Sequence, residues 1–173
     1  MSNIELIEPT EKDVLNGWWR WLNDKEVTKY QNKGVFYNTP EKQFSYLLEM
    51  KESSTDVLFG IYFDKKHIGC VALHNIDWIN RSAKIGILIG EKSYWNKGIG
   101  KKAWNIITQY GLFILNLHRI YADIFEENEA SLKVAKASGF KEEGIIRDKY
   151  YKNGKYYNAV LLSVLKDEFI EVD

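Results

Sequence analysis

At 173 residues, 45% hydrophobic and 28% charged, the chain has the composition of one soluble globular domain with a sizeable core. Lys+Arg and Asp+Glu both number 24, so net charge makes no case for nucleic acid or an anionic membrane as partner. No apolar run approaches the roughly twenty residues that span a bilayer, and Cys70, the single cysteine, excludes an internal disulfide. That usage suits a reducing cytoplasm, the location expected, and Met1-Ser2-Asn3-Ile4-Glu5 lacks the basic-then-apolar order of a signal peptide.

In chain order, Ile4 to Pro9 alternates apolar and polar residues and reads as a first strand. Thr10, with Asp13 three positions on, can cap a helix whose wide apolar face carries Val14, Leu15, Trp18, Trp19, Trp21 and Leu22. Asn23-Asp24 interrupts it, and Asp24 is expected to cap a second short helix through Val27 and Tyr30. Gln31 to Tyr37 reads as a polar loop with aromatic residues. Thr39-Pro40 then starts a helix that turns Phe44, Tyr46, Leu47 and Leu48 inward. Beyond a polar connection, Val57 to Phe63 and His67 to His74 flank the turn Asp64-Lys65-Lys66, and a longer turn, Asn75 to Arg81, leads to the strand Ser82 to Ile89. These strands predict an antiparallel meander. Cys70, within Ile68-Gly69-Cys70-Val71-Ala72, reads as a small core residue rather than a nucleophile.

A glycine-rich turn, Trp95-Asn96-Lys97-Gly98-Ile99-Gly100-Lys101-Lys102-Ala103, follows that strand and opens a helix of apolar period. The order strand, glycine turn, helix leaves the first N–H groups of the helix unpaired and aimed at the turn. Glycines let an anion approach that backbone, the helix dipole favours it, and Lys97, Lys101 and Lys102 add positive charge. A pyrophosphate cradle is one reading; a plain turn is the other. Arg119 to Phe125 is a strand, and Asn128 opens a helix that Gly139 stops. Two more strands, Phe140 to Tyr151 and Tyr156 to Leu165, surround the Asn153-Gly154 hairpin. No repeat or linker breaks the chain, so residues 1–173 are expected to form one α/β domain with a mixed, largely antiparallel sheet flanked by helices.

This succession resembles the GNAT superfamily of acetyl-CoA-dependent N-acetyltransferases, most densely from Ser82 to Leu165. Gly98 and Gly100 fill the glycine positions of the family's pyrophosphate turn, while Trp95 stands where Gln or Arg is usual and Asn96 replaces a common glycine. Asn96 tolerates positive φ, so the turn can survive. Asn128-Glu129-Ala130-Ser131 with Ser138-Gly139-Phe140 is similar to the family's N-x-x-S helix start and its Gly-Phe stop. A capping role for Asn128 is compatible with the pantetheine contact made in relatives. The resemblance implies a fourth strand splayed from the fifth, with pantetheine pairing along Ile87, Leu88 and Ile89 and backbone N–H groups serving the thioester oxygen. The implied cofactor residues are Ile87, Leu88, Ile89, Trp95, Asn96, Lys97, Gly98, Ile99, Gly100, Lys101, Asn128 and Ser131, and no metal is expected.

Acetyl transfer to an amine needs a base for the amine and an acid for the thiolate. The tyrosine that many relatives use as acid is absent, since Ala135 stands at its position, and Ser131 is the remaining donor on that helix. His74, which titrates near neutrality, and Glu126, acting through water, are the candidate bases. Trp21, Tyr30, His74 and Asp77 are expected to meet the acceptor. The Leu117-His118-Arg119-Ile120, Phe140-Lys141-Glu142-Glu143-Gly144 and Asn153-Gly154-Lys155 segments resemble two branches. One contains ribosomal-protein and spermidine acetyltransferases, the other acetyltransferases of nucleotide-linked amino sugars. The expectation is an enzyme acting on a small-molecule primary amine, a nucleotide-linked amino sugar for surface polysaccharide before a protein N-terminus or polyamine. A non-catalytic acyl-CoA-binding module is the alternative of another class, and a homodimer is the open option for assembly.

Overall fold

The computed structural model describes residues 4–170; Met1-Ser2-Asn3, read above for a signal peptide, lies outside them. A seven-stranded sheet of order β1-β2-β3-β4-β5-β7-β6 forms the centre. Its strands are β1 (Ile4–Ile7), β2 (Val57–Phe63), β3 (Lys66–Asp77), β4 (Ser82–Ile89), β5 (Arg119–Phe125), β6 (Lys141–Lys152) and β7 (Lys155–Leu165). Neighbours run antiparallel, as the hairpin turns at Asp64-Lys65 and Asn153-Gly154 dictate, except β4 and β5, which are parallel. Only Ser82↔Arg119, Ala83↔Ile120 and Lys84↔Tyr121 pair between those two. Beyond Lys84 the strands diverge, which is the expected splay.

Helices cover both faces: α1 (Glu11–Asp13), α2 (Trp19–Trp21) and α3 (Pro40–Glu52) on one, α4 (Ile99–Gln109) and α5 (Glu129–Ala137) on the other. Strand alternation assigns side chains to the faces. Ile85, Ile120, Ala122 and Ile124 join Ala103, Ile107 and Ala135 under α4 and α5. Leu58, Ala72 and Leu88 meet Val14, Trp18, Trp21, Leu47 and Met50 under α1 to α3. Trp18 is 1% exposed; truncating so large a buried ring costs about 3–5 kcal/mol, against a total stability of about 5–15 kcal/mol. The second cluster is therefore necessary to the fold.

Four local expectations are corrected. The first helix is broken by a π-helical stretch, Val14–Trp18, around Gly17 at φ 136°, which leaves Leu15 66% exposed. No helix forms at residues 24–30: the Asp24 carboxylate accepts N–H groups of Glu26 and Val27, and its carbonyl accepts Thr28 N–H, so the segment closes as turns instead. Leu48, expected to face inward, lies on the solvent side of α3 at 44% exposure, while Leu47 and Met50 fill the core. Strand β3 also runs three residues past His74 to Asp77.

Candidate active site

The glycine turn has the geometry its sequence requires. Asn96 and Gly98 take φ 59° and 75°, and Gly98 serves as the left-handed N-cap of α4. The first bond of that helix runs from Lys102 N–H to Gly98 O, so the N–H groups of Ile99, Gly100 and Lys101 have no intrahelical acceptor. A Cβ built on Gly98 or Gly100 would meet nothing within 4 Å, so the hollow is open to a ligand. Lys97 and Lys101 flank it, Lys97 with its ammonium over the Tyr94 ring at 5.2 Å. Ile99 is 2% exposed and offers only its backbone. These features fit a pyrophosphate.

The edge of β4 fits a pantetheine arm. Gly90 N–H donates to Ile68 O at 2.9 Å, which marks the adjoining Gly69↔Ile89 pair as one that exchanges no bonds of its own. By alternation Val71↔Ile87 is the same, so the backbone groups of Ile87 and Ile89 face the splay. Their carbonyls are already spoken for: Gln31 Nε2 donates to Ile87 O at 3.1 Å, and Trp95 Nε1 to Ile89 O at 2.9 Å. Their N–H groups remain directed at the gap. Leu88 corrects the sequence expectation, because its backbone is turned to Cys70 on β3 and its side chain packs in the N-terminal cluster. Trp95 is likewise an anchor that ties the glycine turn to the end of β4, which explains an indole where the family usually has Gln or Arg.

His74 sits at the vertex of the splay. It pairs with Lys84, which makes the last rung between β4 and β5, and its ring covers Gly86, whose Cβ would come within 3.4 Å of Cδ2. Nδ1 lies 2.9 Å from Asp56 Oδ1. Desolvation lowers the His74 pKa; Asp56 opposes that, and the positive charges of Lys33 and Lys84 add to it. The ring is therefore neutral at neutral pH. Burial alone would raise the Asp56 pKa, but hydrogen bonds from His74, Ser53, Thr55 and Asn75 N–H outweigh it and keep the carboxylate ionised. Asp56 was missed in the sequence because it stands 18 residues away in a polar connection.

The opposite side of the gap carries Asp123, 7% exposed at its side chain and paired with Lys84 and with Lys149. Phe125 stacks on Tyr150 at 4.0 Å, Tyr150 OH donates to Asp123 O at 2.9 Å, and Tyr30 leans on Phe125 at 5.9 Å. From α5, Asn128 Oδ1 accepts Ser131 N–H at 3.2 Å, the capping contact, and the Ser131 hydroxyl has no protein partner among the described residues. Ala135 is wholly buried in the core.

Three expected site residues are engaged elsewhere. Trp21 is 7% exposed, its ring filling the space over Gly90, where a Cβ would come within 1.9 Å, and its indole donates to Glu91 Oε1. Asp77 spends its carboxylate on Ile79 N–H, Asn80 N–H and the Asn80 amide, an Asx turn. Glu126 is held by Asn158 Nδ2 at 3.0 Å, beside β7 rather than His74. Cys70, taken for a core residue, is half-buried against the N-terminal cluster; burial pushes its thiol up to about 11, so it is protonated at neutral pH. Among the described residues no group of three or more His, Cys, Asp and Glu is arranged to hold a metal ion, and no helix is long and apolar enough to cross a membrane.

Residues 3–141 match the acetyltransferase (GNAT) domain family. The chain is 31% identical over 170 residues to an uncharacterized N-acetyltransferase p20 of Bacillus licheniformis, covering 96% of this chain and 93% of that protein. It is 24% identical over 168 residues to spermidine N(1)-acetyltransferase of Escherichia coli (strain K12), covering 95% and 87%. The crystal structure of spermidine N-acetyltransferase from Vibrio cholerae in complex with CoA and spermine superposes with a TM-score of 0.87 at 24% identity, covering 95% and 96%. At that identity the superposition shows the fold.

Proposed function

The chain belongs to the GNAT acetyltransferase family and is an acetyl-CoA-dependent N-acetyltransferase, and from that premise we propose that it acetylates the primary amine of a small acceptor that carries negative charge, with His74 as general base. The observation that carries the reading is the Asp56-oriented, neutral His74 ring over Gly86, where β4 leaves β5. A neutral imidazole there can take the proton an ammonium must lose before it attacks. Asp56 acts through His74: it holds Nδ1 and leaves Nε2 for the amine.

Acetyl-CoA, when bound, supplies the acetyl thioester. Ile99, Gly100 and Lys101 N–H groups with Lys97 would hold its pyrophosphate. The N–H groups of Ile87 and Ile89 are donors already in place for the charge that develops on the carbonyl oxygen, the arrangement in which a hydrogen bond lowers a barrier most. Ser131, whose hydroxyl has no partner among the described residues, is the donor for the departing thiolate.

The nature of the acceptor follows from charge. A polyamine site needs carboxylates free to meet ammonium groups, yet Asp56 is committed to His74 and Asp123 to two lysines. A nucleotide-linked amino sugar is the first choice, with Tyr30, which leans on the buried Phe125, as a wall for its ring. The relatives named for spermidine favour a polyamine as the second reading. An acceptor panel of amino-sugar nucleotides, polyamines and N-terminal peptides, read by thiol release, decides between them. Turnover of spermidine above every anionic acceptor would sink the first choice, and thiol release with none would sink the His74 chemistry as well.

A further inference from the structure

Residues 30 and 31 touch both sides of the splay. Beyond the last rung, Lys84↔Tyr121, Gln31 Nε2 donates to Ile87 O on β4 at 3.1 Å. The Tyr30 ring lies 5.9 Å from that of Phe125, the last residue of β5. The step from Tyr30 to Gln31 therefore crosses the gap like a strap. Lys152, the last residue of β6, ties it down from a third side by donating to the carbonyls of Thr28 and Gln31, the latter at 2.8 Å. Strand alternation puts Phe125 on the side of Asp123, whose carboxylate meets Lys84, the cross-strand partner of His74. The strap thus lies on the side of the sheet that His74 occupies.

The half-buried Gln31 amide has one end spent and one end free. A carbonyl can be met only by a donor, so the contact with Ile87 O fixes which end is the NH2 group. Oε1 is left over, without a hydrogen-bond partner among the described residues. Gly86, the residue before Ile87, lies beneath the imidazole, with His74 Nε2 3.5 Å from the place its Cβ would take. Two consecutive residues of β4 therefore carry the imidazole and the amide, where Ile87 N–H faces the gap. A nitrogen that reaches a thioester held by that N–H passes between them.

We propose that Gln31 orients the attacking amine, its Oε1 accepting the N–H that the nitrogen keeps through the reaction while Nε2 holds the Ile87 carbonyl. This rests on the reading above for where the thioester and the nitrogen stand, and adds the residue that aims the nitrogen. A primary amine attacks with its lone pair. The C–N bond forms, the C–S bond breaks with its electrons on sulfur, one proton leaves nitrogen, and one N–H remains in the acetamide product. That N–H grows more acidic as positive charge builds on nitrogen, so an acceptor already in place gains most in the transition state. A nitrogen with no hydrogen to spare gains nothing, so the contact selects primary amines. The other end of the amide serves the same step. An uncovered Ile87 carbonyl would set the negative end of a dipole beside the oxygen on which negative charge develops.

The test needs no knowledge of the acceptor. CoA carrying an N-methylcarbamoylmethyl group on sulfur presents an amide N–H where the product has one, and the matching methyl ester presents oxygen there. Calorimetry with the two conjugates is expected to show wild type binding the amide about fivefold more tightly, the scale of one neutral hydrogen bond. Gln31→Leu is expected to bring that preference below about twofold while CoA itself binds as before, which isolates the pairwise contact. Lys152→Met loosens the strap but keeps the amide, and is expected to retain the preference. Equal binding of the conjugates by wild type, a preference that survives in Gln31→Leu, or one lost as fully in Lys152→Met, overturns the contact. No proton is transferred in these measurements, so they stand apart from the choice of base. If His74→Gln keeps its turnover of amines while the preference still follows Gln31, the base is wrong and Gln31 stands. If His74→Gln alone removes the preference, the imidazole holds that N–H and Gln31 does not.

Discussion

Asp56 Oδ1 and His74 Nδ1 lie 2.9 Å apart, joining the polar connection before β2 to the strand that borders the splay. The pair fixes which imidazole nitrogen is free, and it sets the pH range in which the ring accepts a proton. Replacing His74 by Gln removes the base and is expected to lower kcat about 10²-fold, the usual scale for general-base loss, with KM for acetyl-CoA within about twofold. Asp56→Asn keeps an oxygen for Nδ1 but removes the charge that raises the His74 pKa. Its kcat is expected to fall about tenfold, and the acid limb of kcat/KM to move to lower pH. An unmoved limb would mean that His74 is not the group that titrates.

Gly100 separates ligand binding from folding at a single position. Its Cβ space is empty and its φ lies outside the left-handed region, so Gly100→Val is expected to leave the melting temperature of the free protein within about 2 °C. The same isopropyl group would fill the hollow over the unpaired N–H groups. Acetyl-CoA at about a hundred times its Kd stabilises a protein by about 2.7 kcal/mol, about 5–10 °C in a chain of this length. Thermal denaturation should show that shift in wild type and none in Gly100→Val. A retained shift would place the pyrophosphate elsewhere.

The glycine turn, the Asn128 helix start and the strand order were legible because each rests on local rules: φ at Gly98, a cap at Asn128, an Asn-Gly hairpin. What the sequence hid depends on contacts between distant segments. Asp56 meets His74 across 18 residues, Gln31 meets Ile87 across 56, and Trp21 meets Glu91 across 70. Trp21 and Asp77, expected at the acceptor, have protein partners that the sequence does not show, for one reason. A large indole and a turn carboxylate are equally plausible at a site until the group that satisfies them is seen. The expected helix after Asp24 failed because its carboxylate and carbonyl close a turn that nothing downstream extends.

Buried imidazoles also determine how the fold responds to acid. His67 packs against Trp18, Trp21 and Tyr62 with Nδ1 3.7 Å from Asp13 Oδ1, and burial lowers its pKa as it does that of His74. Both rings are harder to protonate in the fold than the ordinary 6.5 of an unfolded chain. As pH falls below about 6.5, the unfolded state takes up protons that the native state refuses, and stability decreases by at most about 1.4 kcal/mol per pH unit for each ring. The carboxylates act in the same direction lower down. Burial would raise Asp13, but hydrogen bonds from Tyr62 and Thr10 hold it below its usual 3.8, so its contribution disappears as pH falls through that lowered value. Urea midpoints are therefore expected to be flat near pH 7.5, to decline from about pH 6.5, and to fall more steeply below about pH 4. In His67→Phe the first decline should shrink while the second persists. A midpoint that rises between pH 6.5 and 5 would show that the rings fold in their protonated form, with Asp13 and Asp56 as counter-ions strong enough to overcome burial.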